Sequence, residues 1–243
     1  MKPVLLEVCV DDAAGLAAAI EGGADRIELC SALGLGGLTP SAGLMALAAS
    51  APVPVYAMIR PRPGNFVFDE NEVAMMCVEI DAVRAAGLVG VVLGANLADG
   101  RLDVATLERL VRQAAGLGLT LHRAFDLVPD FSEALESAVG LGFERILTSG
   151  GAKTAPDGAG QLADIVAQAS GRISIMPGSG VTQTTVSDLL ARLAVSEVHS
   201  SCSIGEPAEE SRVVSLGFAP AVTRRTSAAV VAALKAQLPN RTD

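Results

Sequence analysis

Short apolar runs rich in β-branched residues alternate along this chain with longer alanine- and leucine-rich stretches of helical spacing. The strand-like runs are "LLEVCV" (5–10), "RIELC" (26–30), "VPVYAMIR" (53–60), "GVVLG" (90–94), "TLHRA" (120–124), "RILTSG" (145–150), "RISIMP" (172–177) and "SEVHSS" (196–201). Helical spacing occupies 12–21, 41–50, 70–86, 103–116, 131–140, 158–170, 182–193 and 226–238. Asp11 or Asp12 suits the first N-cap, Gly22-Gly23 stops that helix, and Gly87, Gly118 and Gly142 read as later stops. Residues 203–225 read as an irregular segment before the last helix. No linker or shift in composition divides the chain, so residues 1–243 read as one domain. Eight strand–helix units in this length predict a closed (β/α)8 barrel. The competing doubly wound sheet lacks its sign here, because the first strand runs into "VDDAAG" rather than a dinucleotide fingerprint.

Inside such a barrel, strand residues face the helices and the interior alternately. Leu6, Val8, Val10, Ile27 and Leu29 then point outward, while Glu7, Cys9, Arg26, Glu28 and Cys30 point inward. The same parity turns Tyr56, Met58, Arg60, Thr120, His122, Glu197 and His199 inward. Barrel interiors are normally filled by Val, Ile and Leu, and an unpaired buried charge costs several kcal/mol. So polar an interior predicts a ligand or reaction site at the C-terminal strand ends, with a salt-bridged plug, for example Glu28 with Arg26, as the plainer alternative.

Composition narrows the chemistry. Half of the residues are hydrophobic and the formal net charge is −9, which gives a sizeable core and argues against a nucleic-acid partner. No apolar run is long enough for a membrane span and the opening "MKPVLLEVCVDD" is not a leader, so a cytoplasmic protein is expected. Cys9, Cys30, Cys77 and Cys202 form no CxxC pair, in keeping with a reducing compartment. Two histidines are few for a zinc hydrolase, and Lys2, Lys153 and Lys235 include no inward lysine for Schiff-base chemistry. Cys9 or Cys30 with His199 and Glu197 has the makings of a nucleophilic triad, and Cys9 with Cys30 supplies the soft ligands that Cu(I) needs. Glu7, Glu28, His122 and His199 qualify by type for proton transfer on a small anionic compound. The turns "TSGGAK" (Ser149, Gly150, Gly151) and "PGSGV" (Gly178, Ser179, Gly180) offer backbone N–H groups to an anion, and Arg60 and Arg62 are spaced to reach one.

Taken together, "EVCVD", "GADRIELCSAL", "GGLTPSAG", "MIRPRPGNF", "LHRAFD", "LTSGG", "MPGSGV" and "EVHSS" resemble the CutC family of copper homeostasis proteins from residue 4 to about 202. The resemblance implies a (β/α)8 barrel, a cytoplasmic homodimer and copper handling, with Cys9 and Cys30 as the Cu(I) ligands. It also places Arg60, His122, Arg123, Asp126 and His199 at family motif positions, so that Asp126 joins the candidate catalytic groups and Arg123 the candidate anion ligands. Family members usually read "RGGDF" with a tyrosine two residues later. Here Asn65 stands for that acid and Phe68 for that phenol. The alternative is a barrel enzyme that works on a small anionic compound, phosphorylated compounds included, by proton transfer or hydrolysis.

Overall fold

The two-residue period of the strands organises the molecule. The computed structural model describes residues 4–207 and 210–239. Eight parallel strands, β1 (Leu5–Val10), β2 (Arg26–Leu29), β3 (Val55–Met58), β4 (Gly90–Leu93), β5 (Gly118–Leu121), β6 (Arg145–Thr148), β7 (Ser174–Pro177) and β8 (Glu197–Ser200), follow the order β7-β6-β5-β4-β3-β2-β1-β8. β7 and β8 lie side by side without a ladder, which leaves one seam in the (β/α)8 barrel. The helices after the first seven strands are α1 (Ala13–Glu21), α2 (Ala42–Ala48), α3 (Glu70–Ala86), α4 (Val104–Gln113), α5 (Phe131–Gly140), α6 (Ala159–Ala169) and α7 (Val186–Arg192). No helix of the described residues is long and apolar enough to cross a membrane.

Aspartates start these helices as the sequence predicts. Asp12, Asp69, Asp103 and Asp130 each accept from backbone N–H groups of the following first turn, and Asp69 with Glu72 forms a reciprocal capping box. Gly87 and Gly142 sit at helix ends with positive φ, whereas Gly118 opens β5, and Gly116 takes the left-handed conformation in its stead.

Leu6, Val8, Val10, Ile27 and Leu29 pack outward into the layer between barrel and helices, and Cys30, Tyr56, Met58 and Val92 form a small separate cluster inside. The parity reading therefore holds strand by strand, and it fixes which side chains reach the barrel axis.

Residues 203–225 are not irregular. β9 (Ser203–Pro207) pairs antiparallel with β10 (Val222–Thr226), and α8 (Ser211–Ser215) lies between them; residues 208–209 are outside the described set. Every described residue of this hairpin is exposed or only half-buried, so no face of its strands is covered and no apolar alternation marks them. The hairpin leaves the C-terminal end of β8 and leads to α9 (Ala228–Lys235), which packs against α1 in the place of an eighth barrel helix.

Candidate functional site

The polar interior divides into two groups with different jobs. In the first, the Arg26 guanidinium pairs with both Glu7 and Glu197, and Arg145 reaches Glu197 at 3.3 Å and Glu144 at 3.0 Å. The Tyr56 ring lies between the two guanidinium groups, 5.5 Å from Arg26 and 4.7 Å from Arg145, and its hydroxyl donates to Glu144 at 2.9 Å. Gly90 and Gly118 make room for that side chain, since a Cβ at Gly90 would stand 2.2 Å from a ring carbon and one at Gly118 2.2 Å from the hydroxyl oxygen. Here is the expected salt-bridged plug, built around Arg26 but with Glu7 and Glu197 in place of Glu28. Glu7 and Glu197 are thereby committed to structure: Glu7 is fully buried against Arg26, and neither lines the mouth cavity.

The second group lies at the C-terminal mouth. Register sets Cys9 beside Glu28 on the neighbouring strand, and the β1–β8 ladder brings His199 to the same place. His199 Nε2 meets Glu28 Oε2 at 2.9 Å. One ligand-type atom each from Cys9, Glu28 and His199 falls within 4.8 Å of the others, and all three residues are buried. The triad foreseen with Glu197 is thus assembled with Glu28. Burial opposes charge on His199, but the Glu28 carboxylate and Cys9 outweigh it and hold the imidazole well above its usual value. Burial likewise works against the Glu28 carboxylate, which His199 and His122 nonetheless keep below the usual range. Burial pushes the Cys9 thiol up. At neutral pH the arrangement is an imidazolium–carboxylate pair beside a neutral thiol.

Cys30 does not join these three ligand atoms. Its side chain is fully buried among Tyr56, Met58 and Val92, burial and the nearby Glu28 raise its thiol well above the ordinary value, and it does not line the cavity.

A cavity of about 470 Å³ opens above this floor, lined among others by Cys9, Glu28, Met58, Arg60, His122 and His199. The Ala124 N–H donates to His122 Nδ1 at 3.1 Å, which leaves the neutral ring's proton on Nε2. Burial, reinforced by the Arg60 charge, lowers the pKa of His122 to about 4. Gly94 marks the limit of this packing, since a Cβ there would stand 2.6 Å from the His122 ring. Phe66 links Arg60 and the neutral His122, with Arg60 4.8 Å over its face and the His122 ring 4.6 Å from it. Neither Phe66 nor Gly94 is singled out by sequence reasoning; for Phe66 the available signal was its place in "RPGNF". Arg62 turns away from the cavity to Glu72, the Asn65 side chain accepts from Arg62 at 3.1 Å, and Phe68 lies 5.3 Å beneath that guanidinium. The two departures from the family pattern therefore serve the loop that carries Arg62, and Arg60 alone of the expected pair faces the cavity.

The "TSGG" turn does bind an anion, but the anion is Asp126. Its carboxylate accepts from the backbone N–H groups of Ser149 and Gly151 at 3.0 Å, from the Ser149 and Thr148 hydroxyls, and from Arg123 Nε at 2.6 Å. Gly150 N–H is taken by Thr148 Oγ1. Asp126, Ser149, Gly150 and Gly151 are consequently spent on one another and lie outside the cavity lining, while Arg123, held at Asp126, reaches its edge. In "PGSGV", Gly178 N–H is bonded to the Thr148 carbonyl, and Ser179 and Gly180 border the cavity. Ser203 and Arg224, from the hairpin, complete the rim.

The CutC family profile matches residues 4–204. A CutC family protein of Sinorhizobium medicae is 65% identical over 238 residues, covering 98% of this chain and 97% of its own length. One from Caulobacter vibrioides is 58% identical over 231 residues, covering 94% of each. Among solved structures, that of CutC from Streptococcus agalactiae superposes with a TM-score of 0.78 at 31% identity, covering 82% of this chain and 98% of that one.

Proposed function

The chain belongs to the CutC family, and on that premise we propose that it handles copper, taking Cu(I) as cargo on the Cys9 thiolate and the His199 imidazole at the floor of the mouth cavity. The observation that carries this reading is the convergence of Cys9, Glu28 and His199 on one buried point with ligand atoms within 4.8 Å of one another. The Streptococcus agalactiae relative carries the name of a candidate copper homeostasis protein. The donor set fits the ion in part: thiolate and imidazole are ligand types that Cu(I) accepts, and the Met58 thioether borders the same cavity. Glu28 offers a hard oxygen, so its role in this reading is to hold one ring nitrogen of His199 and orient the other. Cys30, the sequence-expected partner of Cys9, acts in this proposal as packing beside the site. The thiols of Cys9, Cys30, Cys77 and Cys202 are free, as the reducing cytoplasm assumed here would keep them.

Cu(I) on these two side chains replaces the proton of the Cys9 thiol and a proton of the His199 imidazolium. Apparent affinity is therefore expected to rise with pH across the neutral range. The test is anaerobic competition of the purified protein against a Cu(I) chelator. One equivalent is expected for the parent, with the competed site lost in Cys9→Ser and in His199→Asn and retained in Cys30→Ser. Unchanged stoichiometry in Cys9→Ser would overturn the reading.

A further inference from the structure

Arg60 is 5% exposed, yet no carboxylate among the described residues pairs with it. Its terminal nitrogens donate to the carbonyls of Leu35 and Gly37 at 3.2 and 3.1 Å and of Gly64 at 2.8 Å, neutral acceptors that fix the guanidinium without cancelling its charge. Its Nε finds no partner within the protein. Among the described residues six buried side-chain polar atoms stand in that condition, and three of them belong to residues that line the mouth cavity: Arg60 Nε, His122 Nε2 and Glu28 Oε1. Leaving a buried donor or acceptor unmade costs about 1–3 kcal/mol each, and more for charged groups. The residues that bear all three line a 470 Å³ space, and a ligand that reaches these atoms from it supplies the complement.

The complement can be read off the groups. A fixed cation and a neutral N–H donor, joined by the Phe66 ring between them, ask for a single anionic group with two acceptor oxygens. The unpartnered carboxylate oxygen of Glu28, on the neighbouring strand, asks for a donor, and a carboxylate so placed opposes a doubly charged phosphate close by. The three residues lie on β2, just after β3 and just after β5, so they stand along one arc of the mouth and border the same cavity.

We propose that the mouth cavity is a binding site for a small hydroxy- or amino-carboxylate, whose carboxylate lies against Arg60 and His122 Nε2 and whose hydroxyl or amine donates to Glu28 Oε1. The site stands on observations separate from the copper reading, and a metal ion at Cys9 and His199 would be its neighbour on the cavity floor.

Calorimetric and thermal-shift titrations of copper-free protein, with chelator present, test it against glycolate, L-lactate, L-malate, L-serine and inorganic phosphate. At least one of the hydroxy- or amino-carboxylates is expected to bind saturably. Affinity should fall roughly tenfold to a hundredfold in His122→Gln, the loss of one hydrogen bond to a charged group. Arg60→Lys, which keeps the charge but not the fork, is a second probe, and unliganded melting of each variant reports its folding. Should His122→Gln fail to fold, Glu28→Gln carries the same comparison, with loss expected for the donor-bearing acids. Binding of no carboxylate in the millimolar range, equal binding to parent and variants, or binding of phosphate alone with no response to His122→Gln would each overturn the assignment. Because copper is absent throughout, these outcomes are independent of the Cu(I) competition.

Discussion

His122 shows how much one residue's meaning depends on its neighbours. The sequence places it inward and polar, and its parity is right, but only the structure shows the Ala124 N–H on Nδ1 and the Phe66 ring alongside. Its suppressed pKa of about 4 has a consequence for stability. The unfolded imidazole takes up a proton near pH 6.5, whereas the folded one does so only near 4, so acid favours the unfolded chain between those values. The stability tied to this neutrality is complete above about pH 6.5, is lost as pH falls towards 4, and loses nothing further below that. Urea unfolding at pH 7.5 and 4.5 should show parent protein losing about 2–3 kcal/mol more than His122→Asn over that interval. Equal losses would mean that the folded imidazole takes up its proton as readily as the unfolded one. Asp126 teaches the opposite lesson: its motif position is legible, but of the five hydrogen bonds it accepts only that from Arg123 is local; the other four come from Thr148, Ser149 and Gly151, more than twenty residues away, and no local pattern reports that they use it up.

At the scale of elements, legibility follows burial. All eight barrel strands and the helices between them are readable, because each has one face against the core and so carries a period of two or of 3.6 residues. β9 and β10 have no such face and leave no period to read. The helix that follows them is docked by a close approach. A Cβ on Gly22 would stand 2.4 Å from Val231 Cβ and 2.7 Å from the Ala228 carbonyl oxygen, so α9 lies almost against the end of α1. Gly22 has an ordinary helical φ of −73°, and alanine there meets no backbone strain. Gly22→Ala therefore isolates the packing, and chemical denaturation should show a loss of about 1–3 kcal/mol from overpacking. Unchanged stability would mean that α9 is not held against the barrel at this point.

For the whole molecule, the main result is the division of a polar interior into a plug and a site. Sequence parity finds the inward set but cannot apportion it, because ion pairing is decided by register across three strands. Register gives Arg26 to Glu7 and Glu197, and thereby frees Glu28 to meet His199 and Cys9. The two expected copper ligands have different surroundings: Cys9 lines the cavity floor, while Cys30, one inward step beyond the Cys9–Glu28 pair, packs in the apolar cluster with Tyr56 and Met58. The distinction between a thiol–imidazole site and a dithiol site is thus the central claim. X-ray absorption at the copper edge of protein loaded anaerobically with one equivalent of Cu(I) measures it directly. A first shell of mixed sulfur and nitrogen, with the nitrogen contribution lost in His199→Asn, is the predicted result. A shell of two sulfurs that survives that substitution, or copper that washes off the parent protein, would contradict it.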